Sequence, residues 1–212
     1  MLGLKSEGGG GDLSAVGAST MMLPLAFDHV VYSLNDASES YWMSSVPLED
    51  LASGKVRDGV VAHIQLLWRP YPGKTPTGAS ALNLAVRVLV ISSGQLGLYS
   101  GGGFGDPSGD AGEELVELVV MGSSVTLVAK TAGFTDLLSP GAFNADVAAR
   151  LAPEDSVRFR RAAAQLMTDT LEAPRWVGAQ RPEGFASAAA WFEGMVNSPA
   201  AAGPTSPLVQ VR

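Results

Sequence analysis

Residues 60–68 read VVAHIQLLW and residues 82–91 read LNLAVRVLVI. In both stretches apolar side chains recur at every second position, which is the repeat of a β-strand that buries one face. The Pro- and Gly-rich segment between the two stretches predicts that they pair as antiparallel neighbours. The buried face that they share is predicted to consist of Val60, Ala62, Ile64, Leu66, Leu82, Leu84, Val86, Val88 and Val90.

Further strands are predicted on both sides of this pair. β-Branched and aromatic residues indicate a strand over residues 25–32, and a tight turn after residue 91 leads into another over residues 95–100. Residues 115–121 and 124–131 alternate in the same way, and Gly122-Ser123 between them fits the two-residue turn of a β-hairpin. Short connections of this kind predict a meander, in which each strand pairs with the next.

The pattern becomes helical after Thr131. A short helix is predicted over residues 144–151, a longer one beginning at Pro153, and a third over residues 185–196. The sequence therefore predicts an α+β fold, an antiparallel β-meander of about five or six strands with the C-terminal helices packed on one face. The core expected beneath the helix stripe of Phe159, Leu166 and Met167 comprises Ile64, Leu66, Leu84, Val86, Val88, Leu118 and Leu127.

The chain of 212 residues is predicted to form one domain over residues 21–197. Residues 1–20 are rich in Gly, Ser and Ala, which predicts a flexible N-terminal tail with order beginning near Met22. Residues 198–212 are predicted to be an Ala- and Pro-rich C-terminal tail that offers one edge strand. The first residues lack the basic and apolar regions of a signal peptide. The compartment is therefore left open between a cytoplasmic protein as written and an exported one whose start has lost a signal segment.

The charge of the chain argues against a nucleic-acid partner. The net charge is −7, with 14 Lys and Arg residues and no basic stripe, whereas nucleic-acid binding needs clustered cations at the phosphates. No Cys is present, which excludes disulfides and thiolate-bound metals. No run of about 18 apolar residues predicts a membrane span. The expected partner is a protein or a small-molecule ligand, and the composition does not determine the oligomeric state.

The Gly-rich segment 101–112 suggests a cofactor or metal site. It follows a strand, but it lacks the G-x-G-x-x-G spacing that opens a helix in dinucleotide-binding folds, so no cofactor is predicted. The acids Asp106 and Asp110, with Glu113 and Glu114 nearby, are the candidate ligands for calcium, although the spacing of calcium-binding loops is missing. The favoured prediction is a flexible hairpin loop without a metal, and a calcium site at Asp106 and Asp110 is the alternative.

The strongest candidate site is the polar face of the predicted sheet. If the same apolar face continues from each predicted strand to the next, the opposite face carries a set of polar side chains interleaved with apolar ones. This set is His63, Gln65, Arg87, Tyr99 and Glu117. If this face binds a ligand, the Arg87 guanidinium suits a carboxylate or a phosphate, and His63 supplies an adjustable donor or acceptor. The structural alternative is an Arg87–Glu117 ion pair beneath a covering helix.

These observations favour a non-catalytic binding or accessory domain whose ligand or partner is unknown. No nucleophile–base pair, metal spacing or cofactor motif is recognisable, which leans against an enzyme without excluding one. One alternative is a small hydrolase that uses His63 with Arg87 or Glu117. The other is a homo-oligomeric structural subunit that associates through an edge strand or exposed aromatic residues.

Overall fold

The computed structural model describes residues 6–17, 21–35, 38–71 and 82–171, which form nine strands and two helices. In this part of the chain no helix combines the length and the apolar character that crossing a membrane requires. The elements in chain order are β1 (Gly8–Ala15), β2 (Met22–Phe27), β3 (His29–Asn35), β4 (Ser38–Ser44), α1 (Leu48–Ala52), β5 (Gly59–Leu66), β6 (Leu84–Ser92), β7 (Gln95–Ser108), β8 (Leu115–Lys130), β9 (Gly141–Leu151) and α2 (Pro153–Leu171).

The strands form one sheet that closes on itself. β3 to β8 follow each other as antiparallel neighbours, and β9 pairs antiparallel with β8 and parallel with β3. The strands β3 to β9 therefore make a ring, which we call the closed sheet. β1 and β2 form an antiparallel hairpin attached to β9 through β1. A mostly antiparallel sheet followed by a helix is confirmed, whereas the predicted number of strands was too small for the nine observed.

The interior of the closed sheet is the larger of two apolar cores. Every strand of the ring contributes side chains to it, and aromatic rings such as those of Tyr32, Tyr41 and Phe143 are fully buried there. Alternation therefore identified the residues of this core correctly. The predicted members found in this cluster are Ile64, Leu66, Leu84, Val86, Val88 and Leu118, with Leu127 packed against it.

Helix α2 covers the outside of the closed sheet and not the predicted core. Its apolar residues Phe159, Leu166 and Met167 form a second cluster with Val61 and Leu89. These two strand residues directly adjoin interior residues in the sequence, so they lie on the outer face. The predicted contact between helix and core was wrong because β5 and β6 are apolar on both faces, and such strands are covered on both sides.

A single strand, β8, replaces the hairpin that was predicted at Gly122-Ser123. β8 pairs with β7 along most of its length, and its pairing with β9 is irregular between Val120 and Ser123. Gly122 has a φ of 58°, and its N–H donates to Asn144 Oδ1 at 2.7 Å. The glycine therefore forms a bulge in a continuous strand, because a positive φ serves a bulge as well as a turn.

Residues 144–151 belong to strand β9, so the helix predicted there was wrong. Phe143, Ala145, Val147 and Ala149 alternate into the interior of the closed sheet. The alternation is weak in the sequence because several of the side chains are Ala, which has the highest helix propensity. Pairing with β8 on one edge and β1 on the other overrides that preference.

Strand β7 runs through the glycines that were predicted to form a flexible loop. A Cβ at Gly101 would lie 1.8 Å from the carbonyl oxygen of Ser124, and one at Gly103 would lie 2.1 Å from Ser123 Oγ. Glycine in a strand commonly marks such a close approach of another backbone. The glycines therefore allow β8 to pack tightly against β7, and only the residues after Ser108 form a turn.

The predicted N-terminal tail contains strand β1. Gly8–Ala15 lies between β2 and β9 in the sheet, so order begins well before Met22. The predicted helix over residues 185–196 and the predicted C-terminal tail over residues 198–212 lie outside the described residues.

The closed sheet has two different ends. At one end, residues 131–140 fold over the interior with Phe134 buried, and a Cβ at Gly97 would lie 2.3 Å from the Phe134 ring. At the other end, β3, β5 and β7 end and β4, β6 and β8 begin, because successive strands run in opposite directions. We call this second end the Arg69 end, after the residue that organises it.

Candidate ligand-binding site

A pocket of about 230 Å³ opens at the Arg69 end of the closed sheet. Its walls include the apolar side chains of Leu34, Leu66 and Trp68 and the charged side chains of Glu39 and Arg69. Apolar walls with a few polar groups are typical of small-molecule sites, and the mouth of a closed sheet is a common location for them. The pocket therefore has the mixed lining of a candidate ligand site.

An ion pair between Glu39 and Arg69 forms the charged side of this pocket. The Glu39 side chain is only 8% exposed. One of its oxygens accepts a hydrogen bond from Arg69 Nε and the other accepts one from Nη2 at 2.9 Å. The Tyr41 hydroxyl donates to the same carboxylate at 2.5 Å, and Arg69 Nη1 donates to the carbonyl oxygen of Gly109. All three guanidinium nitrogens are thus engaged, two of them in the paired geometry that binds a carboxylate strongly.

These contacts also determine the charges in the pocket. Burial, followed by the hydrogen bond to Glu39, raises the pKa of Tyr41, and the hydrogen bond to Glu39 raises the pKa of Arg69. Tyr32 stacks on Tyr41 with the ring centroids 5.5 Å apart, and burial raises its pKa as well. Both tyrosines therefore stay neutral, Arg69 stays charged, and the ion pair presents no net charge to a ligand.

Strand geometry explains how these residues meet. Glu39 and Tyr41 are two residues apart on β4, so both side chains face the interior. Glu39 lies opposite Leu66, the last residue of β5. Because Arg69 follows β5 by three positions, the chain brings it back over the end of the sheet to the carboxylate.

Asn83 fixes the backbone beside the pocket. Its side chain is completely buried. Its Nδ2 donates to the carbonyl oxygens of Gly105 at 2.7 Å and Trp68 at 3.2 Å, and its Oδ1 accepts from the Gly105 N–H at 2.8 Å. Buried amides that satisfy their hydrogen bonds hold their surroundings rigidly. The indole of Trp68 therefore projects from a well-anchored backbone.

Large apolar side chains are exposed at the Arg69 end, and two of them, Leu34 and Trp68, line the pocket. Leu34, Trp68, Tyr71 and Leu82 are 43%, 43%, 72% and 40% exposed, respectively. Each lies in or next to a connection at the Arg69 end. Isolated exposed apolar residues are ordinary, whereas their concentration in one region marks a binding surface.

Four of the five site residues predicted from the sequence lie on the outer face of the sheet, and three of these four are close together. His63 and Arg87 are direct cross-strand partners, and Gln65 is two positions from His63 on the same strand. All three occupy the outer face, opposite the interior core. Alternation therefore predicted their shared face correctly. Gln65 adjoins the pocket from the outside, since its Nε2 donates to Oγ of the pocket residue Ser38 at 3.4 Å.

His63 is held as a neutral imidazole on this outer face. Its Nε2 is 2.9 Å from Ser40 Oγ, and its ring centroid is 4.4 Å from that of Trp42. Burial, together with the positive charges of Arg87 and Arg160, lowers the pKa of His63 to about 3. At neutral pH the imidazole therefore carries no charge, partly because the two nearby guanidinium groups disfavour a third positive charge.

Tyr99 points into the interior, so its predicted place on the polar face was wrong. Ser93 and Gly94 form a two-residue turn with φ values of 52° and 75°. Counting back from this turn, Val88 lies opposite Tyr99 and shares its face. Alternation predicts an interior position for Leu96 and Leu98, which would put Tyr99 on the outer face. In the structure these two leucines lie on the outer face under α2. Inside, the Tyr99 hydroxyl donates to Asp136 Oδ1 at 2.9 Å.

Glu117 lies too far along the sheet to join Arg87. Arg87 is opposite Ser100 of β7, whereas Glu117 is opposite Ser108, whose hydroxyl donates to it at 3.1 Å. A strand rises about 3.3 Å per residue, so the two positions are roughly 26 Å apart. The Arg87–Glu117 ion pair offered as the structural alternative is therefore wrong. Of the two residue pairs in the hydrolase alternative, only His63 and Arg87 are neighbours, whereas Glu117 is distant from His63.

The candidate calcium ligands do not converge into a metal site. Asp106 lies near the end of β7 and Asp110 lies in the turn that follows. Within the described residues no group of three or more His, Asp or Glu side chains is placed to hold a metal ion.

Sequence reasoning missed Glu39, Trp68 and Arg69, the residues that shape the pocket. Arg69 and Trp68 lie in a connection, where no repeat predicts which way a side chain points. Glu39 carries the only local signal, because it alternates with Tyr41 and Met43 toward the same buried face. An acid in such a pattern indicates a buried carboxylate that needs a cationic partner.

No protein-family model matches the chain, and no curated protein or solved structure matches it either. A function can therefore be argued only from the geometry of this molecule.

Proposed function

We propose that the protein is a non-catalytic binding domain that takes a small, uncharged, partly apolar molecule into the pocket at the Arg69 end. The observation that carries this proposal is a concave site that combines an internally neutralised ion pair with two exposed apolar side chains, Leu34 and Trp68, in its lining. The exposed indole of Trp68 provides a flat wall on which a ring or an aliphatic group can pack.

The ion pair argues for an uncharged ligand. Arg69 already uses its nitrogens on Glu39 and Gly109, so an anion would have to displace these contacts. A cation would meet a carboxylate that is already paired with a guanidinium. For a neutral ligand, the pocket lining offers the amide of Asn35 and the O–H of Ser38, whose oxygen accepts from Gln65 Nε2 at 3.4 Å. The ligand's polar group is therefore a hydroxyl, carbonyl or amide.

The size of the pocket limits the ligand. A volume of about 230 Å³ is slightly below the ~300–1,000 Å³ typical of small-molecule sites. It suits a single substituted ring or a short branched chain. Binding is favoured over catalysis because Tyr41 and Arg69 have raised pKa values, which keep both groups protonated near neutral pH.

Two probes that share a ring and differ in charge test this proposal. Benzyl alcohol is expected to change the fluorescence of Trp68 and to shift backbone NMR signals of the pocket residues, whereas benzoate is not. In W68A the affinity for benzyl alcohol should fall by about tenfold, because stacking on the indole is lost. L137A is the matched control, since Leu137 is 55% exposed in the loop at the opposite end.

Two results would contradict the proposal. One is equal binding of benzoate and benzyl alcohol at the pocket, which would show that charge is not selected. The other is an equal loss of affinity in W68A and L137A, which would place the ligand elsewhere. Unchanged thermal unfolding of both variants confirms that each comparison is made on folded protein.

A further inference from the structure

A row of side chains crosses the outer face of the closed sheet beside helix α2. The strand register places Trp42, His63, Arg87, Ser100 and Thr126 opposite one another on five successive strands. An aromatic ring of α2 stacks on Trp42 with the ring centroids 6.4 Å apart. Trp42 is buried, the next three side chains are half-buried, and the last is exposed. The helix therefore covers one end of the row and leaves the other open.

Arg87 is a half-buried cation without a counter-ion among the described residues. None of the ion pairs or hydrogen bonds in the described ranges involves its guanidinium. Burial lowers the pKa of Arg87, which reflects the cost of taking a charge out of water without pairing it. Most half-buried guanidinium groups are paired, so this one offers its donors to an external anion.

A second cation reinforces this local charge. Arg160 of α2 lies close enough to His63 for its charge to lower the imidazole pKa, as the charge of Arg87 also does. Arg160 likewise forms no ion pair within the described residues. In a chain with a net charge of −7, the two arginines around His63 make a locally positive site.

We propose that this row is a binding site for a phosphate group, held by Arg87 and Arg160 with the hydroxyls of Ser100 and Thr126 as neutral donors. The two hydroxyls make no hydrogen bonds within the described part of the chain, so they are available. The four oxygens of phosphate point in four directions, so each of the two guanidinium groups and two hydroxyls can donate to a separate oxygen. A carboxylate offers only two oxygens in one plane and matches four surrounding donor groups less well. This site is separate from the pocket at the Arg69 end.

His63 acts as a built-in reporter for this site. Its pKa is low because of burial and because two positive charges repel the imidazolium. The negative charge of a bound phosphate offsets this repulsion, so binding should raise the pKa of His63. Among the described residues, the groups that contact the imidazole or act on its charge include Ser40 and Trp42 on β4, Arg87 on β6 and Arg160 on α2.

The test is an NMR titration of the full chain with inorganic phosphate, compared with sodium chloride at equal ionic strength. Phosphate should shift the His63 ring signals saturably and raise the pKa of His63, and chloride should not. R87Q should weaken phosphate binding by about tenfold or more, as expected for the loss of charged hydrogen bonds. R57Q is the control for charge alone, because Arg57 is exposed in the connection before β5.

A second pair of variants keeps the test decisive if R87Q does not fold. R160Q and R161Q change neighbouring exposed residues of the same helix, and only R160Q should weaken phosphate binding. The proposal is overturned if phosphate produces no saturable shift at millimolar concentration, or if R160Q and R161Q behave alike. Acetate that binds as tightly as phosphate also overturns it, since the site would then select any oxyanion.

Discussion

Lowering the pH from 7 to 4.5 should destabilise the protein through His63. The pKa of His63 is lowered to about 3 in the folded protein, whereas an imidazole in an unfolded chain titrates near 6.5, roughly its unperturbed value. Between these values the unfolded state binds a proton that the folded state does not, so the free energy of unfolding falls as the pH falls from 6.5 toward 3. At pH 4.5 this loss, relative to pH 7, is about 2.5 kcal/mol. This loss of unfolding free energy is set mainly by the pKa of His63 in the unfolded chain, because pH 4.5 lies above the pKa of His63 in the folded protein.

Urea unfolding of the wild type, H63Q and H29Q at both pH values measures this effect. The chain has two histidines, so H29Q is a natural control. Carboxylates also respond to acid, but they do so in all three proteins and cancel in the comparison. On going to pH 4.5, H63Q should lose about 2.5 kcal/mol less stability than the wild type or H29Q does. An equal loss in the wild type and H63Q would refute the claim that His63 is held neutral by its surroundings.

Two further substitutions test the buried ion pair and the close approach of β7 and β8. R69M should lower the free energy of unfolding by about 3 kcal/mol, because it leaves Glu39 buried without its cation, and the double variant E39L/R69M should regain most of this loss. A double variant no more stable than R69M in urea unfolding would contradict this account. G101A should destabilise the protein more than G122A, because a Cβ at Gly101 would overlap the Ser124 carbonyl. A Cβ at Gly122 meets nothing within 4 Å, so G122A should cost only about 1 kcal/mol through the positive φ of that residue. Equal destabilisation of the two variants would show that contact with β8 does not explain the glycine.

The elements that the sequence predicted well carry a strong repeat of their own. In β5 and β6 an apolar residue stands at every second position and fills the interior, and α2 begins at a proline and carries an apolar stripe. β9 was missed because alanines weaken its alternation, and the end of β7 was missed because glycines usually mark loops. Closure of the sheet could not be predicted either, since it depends on β9 reaching β3, and no local pattern encodes a contact so distant in sequence.

The outer-face row and the pocket at the Arg69 end also differ in how well a local sequence repeat predicts them. His63 and Arg87 lie on neighbouring strands with regular alternation, so period-2 reasoning was enough to place them on one face. Glu39 and Arg69 are 30 residues apart and meet through the path of a connection. Tyr99 was misplaced by the register of one two-residue turn, which moved the apolar leucines of β7 to the outer face.

Closure of the sheet through β9 has a consequence for synthesis of the protein. β9 supplies the contacts that join β8 to β3 and tie β1 to the ring, and it ends at Leu151. A nascent chain on the ribosome cannot complete the ring before that residue has emerged from the exit tunnel. Until then β3 and β8 have unpaired edges and the interior side chains lack part of their enclosure, which is when an incomplete sheet is most prone to aggregate. Ribosome-bound chains that stop before β9 should therefore depend on chaperones, and chains that extend well past it should become protease-resistant in a single step.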